Sequence, residues 1–373
     1  MRIAFVHDYL VQYGGAERVL ECLSEIYPYA PIYTILYNRE AMHGVFESKR
    51  VRTSFLQRFP FAKKWHRVFP LFMPLAVEQF DFSKYDIVVS DSASYAKGVI
   101  TNPATLHICY MHTPMRYAWD DCQKYTRDFY FPRFIKKLIP FAMNYLRLWD
   151  KISADRVDIF IANSNFVARR IKKYYHKDAM VVHPPVDTKK FLIRKGAEKK
   201  DYFLMVGRLL AYKRNDIAIE AFNKLGLPLK IIGRGPELKR LEKIAGPNIE
   251  FLGRVSDEDL GKYYSECQAL IFPQEEDFGI VAIEALASGK PLVAFRGGDI
   301  PEHMEDGKMG VFFEEQTSDA IVEAVLKFQR SSFDAGYIRS KVLKFDREIF
   351  KEKMKQLIEE KLEKHKRVLG CEE

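Results

Sequence analysis

At 373 residues the chain is longer than one hydrophobic core ordinarily supports, so two domains are expected. A composition of 47% apolar and 29% charged residues without a low-complexity tract excludes a disordered chain, and with no run of 18 uncharged apolar residues no membrane-spanning helix is expected. The net charge of +9 is uneven, with 28 Lys and Arg against 18 Asp and Glu up to residue 190 and 31 against 32 beyond it, which points to an anionic partner of the first half.

In chain order, apolar runs of strand length stand at 2–9, 31–37, 85–91, 106–112, 157–164 and 180–186, with helical patterns at 16–27 and 165–175. The opening MRIAFVHDYL carries charge too early for a secretion signal and reads as a first strand. The same alternation restarts after a polar stretch containing RKGAEKKD. Strands are expected at 201–208, 227–234, 248–254, 268–274, 290–296 and 310–314, and helices at 215–224, 236–245, 256–266 and 280–288. Strands apolar on both faces that alternate with helices predict parallel sheets covered on both sides. The fold class is therefore α/β, two doubly wound Rossmann-like domains facing a cleft. The boundaries read as 1–186, a linker at 187–200, 201–345, and a lysine- and glutamate-rich amphipathic helix at 346–373 that packs back on the first domain. The five cysteines are scattered, with no Cys-x-x-Cys and no histidine in ligand spacing, which fits a reducing cytoplasm without structural zinc.

Two glycine-bearing strand ends, DYLVQYGGAERVL and IIGRGPELKRL, do not complete a Gly-x-Gly-x-x-Gly fingerprint, so NAD is disfavoured. Gly14 and Gly15 before a helix either admit an anionic group to backbone N–H groups or form a plain turn. Arg208 closes a strand, and Lys213 follows just before a helix. Guanidinium and ammonium groups in that place suit a diphosphate, although a solvated basic loop would look the same. In QEEDFGIVAIEALASGK, Glu276 precedes the turn at Gly279 and Glu284 lies one turn inside the helix that follows. Carboxylates accept hydrogen bonds from sugar hydroxyls, so the pair could read a nucleotide-sugar from both ends, or could be a helix-terminal charge and a paired one. No Asp-x-Asp stands in a suitable loop and the histidines do not cluster, so no metal is expected.

These residues carry a resemblance. GRLLAYKRNDIAIEAF, FLGRVSDEDLGKYYSECQALIFP and EEDFGIVAIEALASGKPLVA, with GDIPE downstream, resemble the C-terminal domain of the family 4 retaining glycosyltransferases of GT-B fold, and Glu276 and Glu284 match that family's Glu-x7-Glu motif. HDYLVQYGGAERVL, PFAKKWHRVFPLFMPLAVEQFD, ICYMHTPMRYAWD and IANSNFVARRIKKYY resemble the first half of bacterial and archaeal mannosyltransferases of cell-surface polysaccharide assembly. The resemblance implies a metal-independent hexosyltransferase that needs no cofactor and uses a nucleotide-sugar donor, GDP-mannose as the first reading and a UDP-sugar as the alternative. It implies that Arg208 and Lys213 bind the donor diphosphate and that Glu284 holds the ribose. Glu276 and the amides of Phe278, Gly279 and Ile280 would contact the sugar. Gly14 and Gly15 would border the phosphates, His112 would lie near the sugar, and Gly253, Arg254 and Val255 would border the base.

The segment 49–77 holds seven basic residues, no acidic one and many aromatics, and 129–149 mixes the same types. Lys63, Lys64, Trp65, Arg67, Arg133, Lys136 and Lys137 are candidates for meeting an anionic membrane and a lipid-linked glycan acceptor, and a buried aromatic layer under a basic rim is the alternative. The expected place of work is the cytoplasm, at the inner face of the membrane. Two other functions suit the residues less well. A nucleotide-sugar epimerase would share the architecture, and a nucleic-acid-binding protein would share the basic half but lacks a recognisable motif; no nucleic acid partner is expected.

Overall fold

The structure, a computed structural model, describes residues 1–59, 70–120, 133–194 and 200–370, except the side chains of 133–137. It divides into two compact units, residues 1–185 with 350–373, and residues 186–349.

The first unit is built on seven strands: β1 (Ile3–Leu10), β2 (Ile32–Tyr37), β3 (Val51–Thr53), β4 (Ile87–Ser92), β5 (Leu106–Met111), β6 (Ile159–Ala162) and β7 (Ala179–Val181). All pair in parallel in the order β3-β2-β1-β4-β5-β6-β7, so the direction of winding reverses between β1 and β4. At such a switch point the loops leaving the strand C-termini diverge and make room for a ligand. One apolar layer packs the helix Gly15–Ile26 onto the sheet. Phe350, Met354, Ile358 and Leu362 of the last helix, Arg347–Val368, are buried in that layer with Phe5, Ile32 and Tyr110. Their spacing of four places them on one stripe of the helix, and the lysines and glutamates between them remain outside. On the other face Met143, Leu146 and Trp149, from the helix Arg133–Ser153, pack beside Met73, Ala76 and Val77.

The second unit holds β8 (Phe203–Val206), β9 (Leu229–Ile232), β10 (Ile249–Gly253), β11 (Leu270–Phe272), β12 (Leu292–Phe295) and β13 (Gly310–Phe313). These are again all parallel, in the order β10-β9-β8-β11-β12-β13, with the reversal between β8 and β11. Apolar layers cover both faces. Two parallel sheets of Rossmann type are the α/β class expected from the alternating runs. The strand expected at 180–186 stops at Val181, and Pro184 and Pro185, which lack an N–H for the ladder, follow soon after. The edge strand β3 was not expected, because three residues are too few to show a period.

The polar stretch read as a linker has its described part, 187–194, packed into the second unit. Phe191 is buried edge-on to Tyr264, and Arg339 donates to the carbonyls of Phe191, Thr188 and Ala287. Residues 195–199 lie outside the described set.

Candidate functional site

In the second unit the loops that leave β8 and β11 carry the candidate residues. After β8 the chain turns at Gly207, passes the exposed Arg208, and buries Leu209, whose N–H donates to Arg234 O at 3.0 Å. Gly235 lies so close that a Cβ there would stand 2.1 Å from Leu209 O, so the glycine is required by backbone contact. A 3-10 turn, Ala211–Lys213, then delivers Lys213, and Arg214 in the left-handed region opens the helix Asn215–Leu225.

The loop after β11 brings Glu276 to Lys213. Lys213 Nζ and Glu276 Oε1 form a direct ion pair, and each side chain is only 16% exposed. Glu276 is held through its backbone as well: Asp299 N–H donates to Glu276 O at 3.1 Å, and a Cβ on Gly298 would stand 2.2 Å from that oxygen. Thus GGDIPE downstream fixes the loop that presents the carboxylate. Gly279, at φ +78°, reverses the chain into the helix Ile280–Ala287, which has no side-chain cap. Its first N–H groups therefore form a positive end suited to an anion.

Glu284 is 2% exposed on that helix, and Tyr264 Oη donates to its Oε2 at 3.2 Å. The Phe278 side chain belongs to the core, edge-on to His303 and Phe345, so only its backbone could meet a ligand. Gly253 ends β10 at φ +68°, followed by exposed Arg254 and half-buried Val255. The unit thus brings Lys213, Glu276 and the end of the Gly279 helix together, with Glu284 one turn deeper in that helix.

In the first unit His112 follows β5, and its Nε2 lies 2.5 Å from Asp91 Oδ1. Asp91 Oδ2 meets His7 Nδ1 at 2.8 Å, and His7 Nε2 faces Glu17 Oε1 at 3.6 Å. The other Glu17 oxygen accepts the Gly14 N–H at 2.8 Å. That bond alters the expectation for the glycine pair: the Gly14 N–H is held by the carboxylate three residues on, as a helix start requires, and is not turned toward a ligand.

Burial opposes the charged form of the His7 ring, but hydrogen bonds to Asp91 and Glu17 and their negative charges prevail and raise its pKa to about 10. Asp91, against the same opposition from burial, is held below the usual carboxylate range by His112 and His7. Asp8 is buried too and accepts the N–H groups of Ala93, Tyr95 and Ala96 at 2.6–2.8 Å, which shapes the loop after β4. His7, Asp8, Glu17 and Asp91 were not picked out by sequence reasoning; the signal for His7, Asp8 and Asp91 was charge at strand C-terminal ends, in VHDY and VVSDS, and Glu17 stands in the first turn of the helix Gly15–Ile26.

Of the candidates for an acceptor or membrane surface, Lys63, Lys64, Trp65 and Arg67 lie outside the described residues, as do the side chains of Arg133, Lys136 and Lys137. The described part of the helix Arg133–Ser153 exposes Leu138, Phe141, Tyr145, Leu148 and Ile152, with Phe141 75% exposed. Spaced by three and four, they form a second apolar stripe beside the buried one. Among the described residues no helix is long and apolar enough to cross a membrane.

Comparison with known proteins agrees with this architecture. The family model Glycosyltransferase Family 4 matches residues 13–190, and the model Glycosyl transferases group 1 matches residues 187–339. An uncharacterized glycosyltransferase of Methanocaldococcus jannaschii is 29% identical over 186 residues, covering 48% of this chain and 52% of that one. A GDP-mannose-dependent alpha-(1-6)-phosphatidylinositol monomannoside mannosyltransferase of Mycolicibacterium smegmatis is 28% identical over 218 residues, 50% of this chain and 56% of that one. The matches thus span about half the length of these curated relatives. Among solved structures, HepE of Anabaena in complex with UDP and glucose superposes with a TM-score of 0.73 at 17% identity, covering 96% of this chain and 99% of that one. At that identity the likeness establishes the fold.

Proposed function

Because the chain belongs to the glycosyltransferases of GT-B fold, matched by a family model in each half, we propose that it transfers mannose from GDP-mannose to a lipid-linked or polysaccharide acceptor, with retention of anomeric configuration and without a metal. The observation that carries the donor site is the Lys213–Glu276 pair beside the uncapped start of the helix Ile280–Ala287, with Glu284 one turn deeper. Lys213, Arg208 and the helix end supply positive charge for a diphosphate, Glu284 a carboxylate for ribose hydroxyls, and Glu276 with the amides of Phe278, Gly279 and Ile280 a cradle for the sugar. Arg254 and Val255 border the base, and in the first unit His112 offers a ring nitrogen to a sugar hydroxyl. The mannosyltransferase similarity supports GDP-mannose, and a UDP-sugar is the second reading because HepE was solved with UDP and glucose.

In the reaction the anomeric carbon–oxygen bond to the nucleoside diphosphate breaks, and a bond to the acceptor hydroxyl forms on the same face of the sugar. The acceptor proton passes to the departing phosphate oxygen. Negative charge grows on that phosphate in the transition state, where cations and N–H dipoles already in place stabilise it without reorganising. The exposed stripe Leu138, Phe141, Tyr145, Leu148 and Ile152 supports an acceptor met at a membrane surface, since an apolar face of this length can enter the headgroup boundary.

Calorimetry with GDP, UDP, ADP and their sugars in chelator tests the donor. Tight binding of GDP and GDP-mannose is expected, whereas a preference for UDP discards mannose and keeps the enzyme class. Flotation with anionic liposomes tests the surface, and protein that stays with neither anionic nor neutral vesicles at low salt refutes it. An inverted anomeric coupling in the product refutes retention.

A further inference from the structure

The three side chains of the His7–Asp91–His112 line are brought together by strand register. His7 on β1 and Asp91 on β4 are direct partners across the sheet, and Asp91 in turn is paired with Tyr110 on β5. His112 is two residues beyond Tyr110, so it returns to the same face. Asp91 is 0% exposed, His7 and Glu17 are also buried, and only His112, with its side chain 12% exposed, approaches the outside. Polar groups so far from water are costly unless each is paired, and an apolar set would hold these strands equally well. Here the pairing is directional and ends at the outermost member.

Both Asp91 oxygens are taken by imidazole nitrogens. The carboxylate is ionised and can only accept, so each ring must donate to it. His7 carries both protons, with Glu17 on its far side, so the signs alternate as minus, plus, minus from Glu17 to Asp91. In neutral His112 the single proton is then fixed on Nε2, and Nδ1 is left as the acceptor.

We propose that Asp91, with His7 and Glu17 behind it, is a positioning residue that sets the orientation and tautomer of His112, so that Nδ1 accepts a hydrogen bond from a hydroxyl of a sugar substrate. Its catalytic consequence rests on the transfer function proposed above; its geometry does not. Because Glu17 also holds the Gly14 N–H, the same line ties the His112 ring to the turn that starts the helix Gly15–Ile26.

The test combines nitrogen-15 NMR of the full chain, labelled at histidine, with steady-state kinetics on GDP-mannose. In the unaltered protein at pH 8, His112 is expected as the Nε2–H tautomer and His7 with both nitrogens protonated. Asp91→Asn offers one oxygen to two donors, so it should mix the His112 tautomers and lower kcat by about 10- to 100-fold, the loss of one well-aligned hydrogen bond to a charged network, while KM for the donor moves much less. His7→Asn keeps a donor toward Asp91 and should retain the Nε2–H tautomer; if Asp91→Asn does not fold, the tautomer of the unaltered protein, read without any substitution, still decides. A proton on Nδ1 of His112 in the unaltered protein overturns the proposal. So does an Asp91→Asn variant whose tautomers mix without loss of kcat, or a His7→Asn variant that loses the Nε2–H tautomer. The tautomer is read without turnover. A protein that shows it but transfers no sugar would refute the proposed function and leave the positioning intact.

Discussion

Lys213 cannot serve two anions fully at once. In this structure its ammonium is paired with Glu276, both side chains being 16% exposed, and in the proposed complex it must also meet the donor diphosphate. The two partners therefore have opposite effects on nucleotide affinity. Lys213→Ala removes a charge-assisted hydrogen bond to phosphate, a contribution of about 1.5–3 kcal/mol in a largely water-excluded place, so GDP should bind about 10- to 150-fold more weakly. Glu276→Ala releases Lys213 and deletes a negative charge near the diphosphate, so GDP should bind equally or more tightly, while turnover falls because the sugar loses its carboxylate. Titration calorimetry of GDP with each variant gives the first comparison, and steady-state transfer from GDP-mannose gives the second. Raising salt from 50 to 500 mM should narrow the gap between the variants, since neither group is wholly buried. If both substitutions weaken GDP by the same factor, or Glu276→Ala weakens it more, the assignment of Lys213 to phosphate and Glu276 to sugar is wrong.

Three other outcomes are expected. Glu284→Ala should weaken GDP by about 10-fold or more through the lost ribose contact, whereas Tyr264→Phe, which removes only the hydroxyl donating to that carboxylate, should cost less; calorimetry on both checks the order. Asp150 is fully buried and accepts from Lys97 Nζ, Trp119 Nε1 and Tyr175 Oη at 2.5–2.7 Å. Asp150→Asn strands the Lys97 charge and sets a donor against donors, so a cost of about 3–5 kcal/mol is expected, visible as an earlier calorimetric transition, and a change below about 1 kcal/mol would contradict the pairing. The His7 pKa of about 10 against an ordinary 6.5 adds stability that is complete below pH 6.5 and lost as pH rises through 10. The stability difference between the unaltered protein and His7→Asn, followed by urea unfolding from pH 6 to 10, should therefore shrink with rising pH.

Apolar runs gave away both sheets because parallel strands buried on two faces leave unbroken stretches such as IAFV, IVV and LVAF. Glu276, Glu284, Arg208 and Lys213 could be singled out as candidates for another reason: they lie in short segments at strand ends or helix starts, where sequence neighbours are also spatial neighbours, and those segments carry the family resemblance. The meeting of Lys213 with Glu276, 63 residues apart, was beyond reach of local pattern. The same holds for His7 with Asp91, 84 residues apart, which only register across the β1–β4 switch brings together. Gly14 looked open to a ligand because a glycine pair before a helix has the same sequence whether its N–H faces outward or is taken by Glu17. The helix Arg133–Ser153 carries apolar residues on more than one face, so spacing alone could not tell Leu146, which is buried, from Leu148, which is exposed.

The return of Arg347–Val368 to the first unit has a consequence for how the protein is made. Residues 1–185 leave the ribosome with one face of their sheet lacking Phe350, Met354, Ile358 and Leu362. At about 5–20 residues per second, translation of 186–362 leaves that apolar face waiting for roughly 10–35 s. Meanwhile the contiguous unit 186–349 has every strand of its sheet in hand before the closing helix is complete. The second half can thus be native first, and the nascent first half is the part exposed to aggregation and to chaperones until the last stripe arrives.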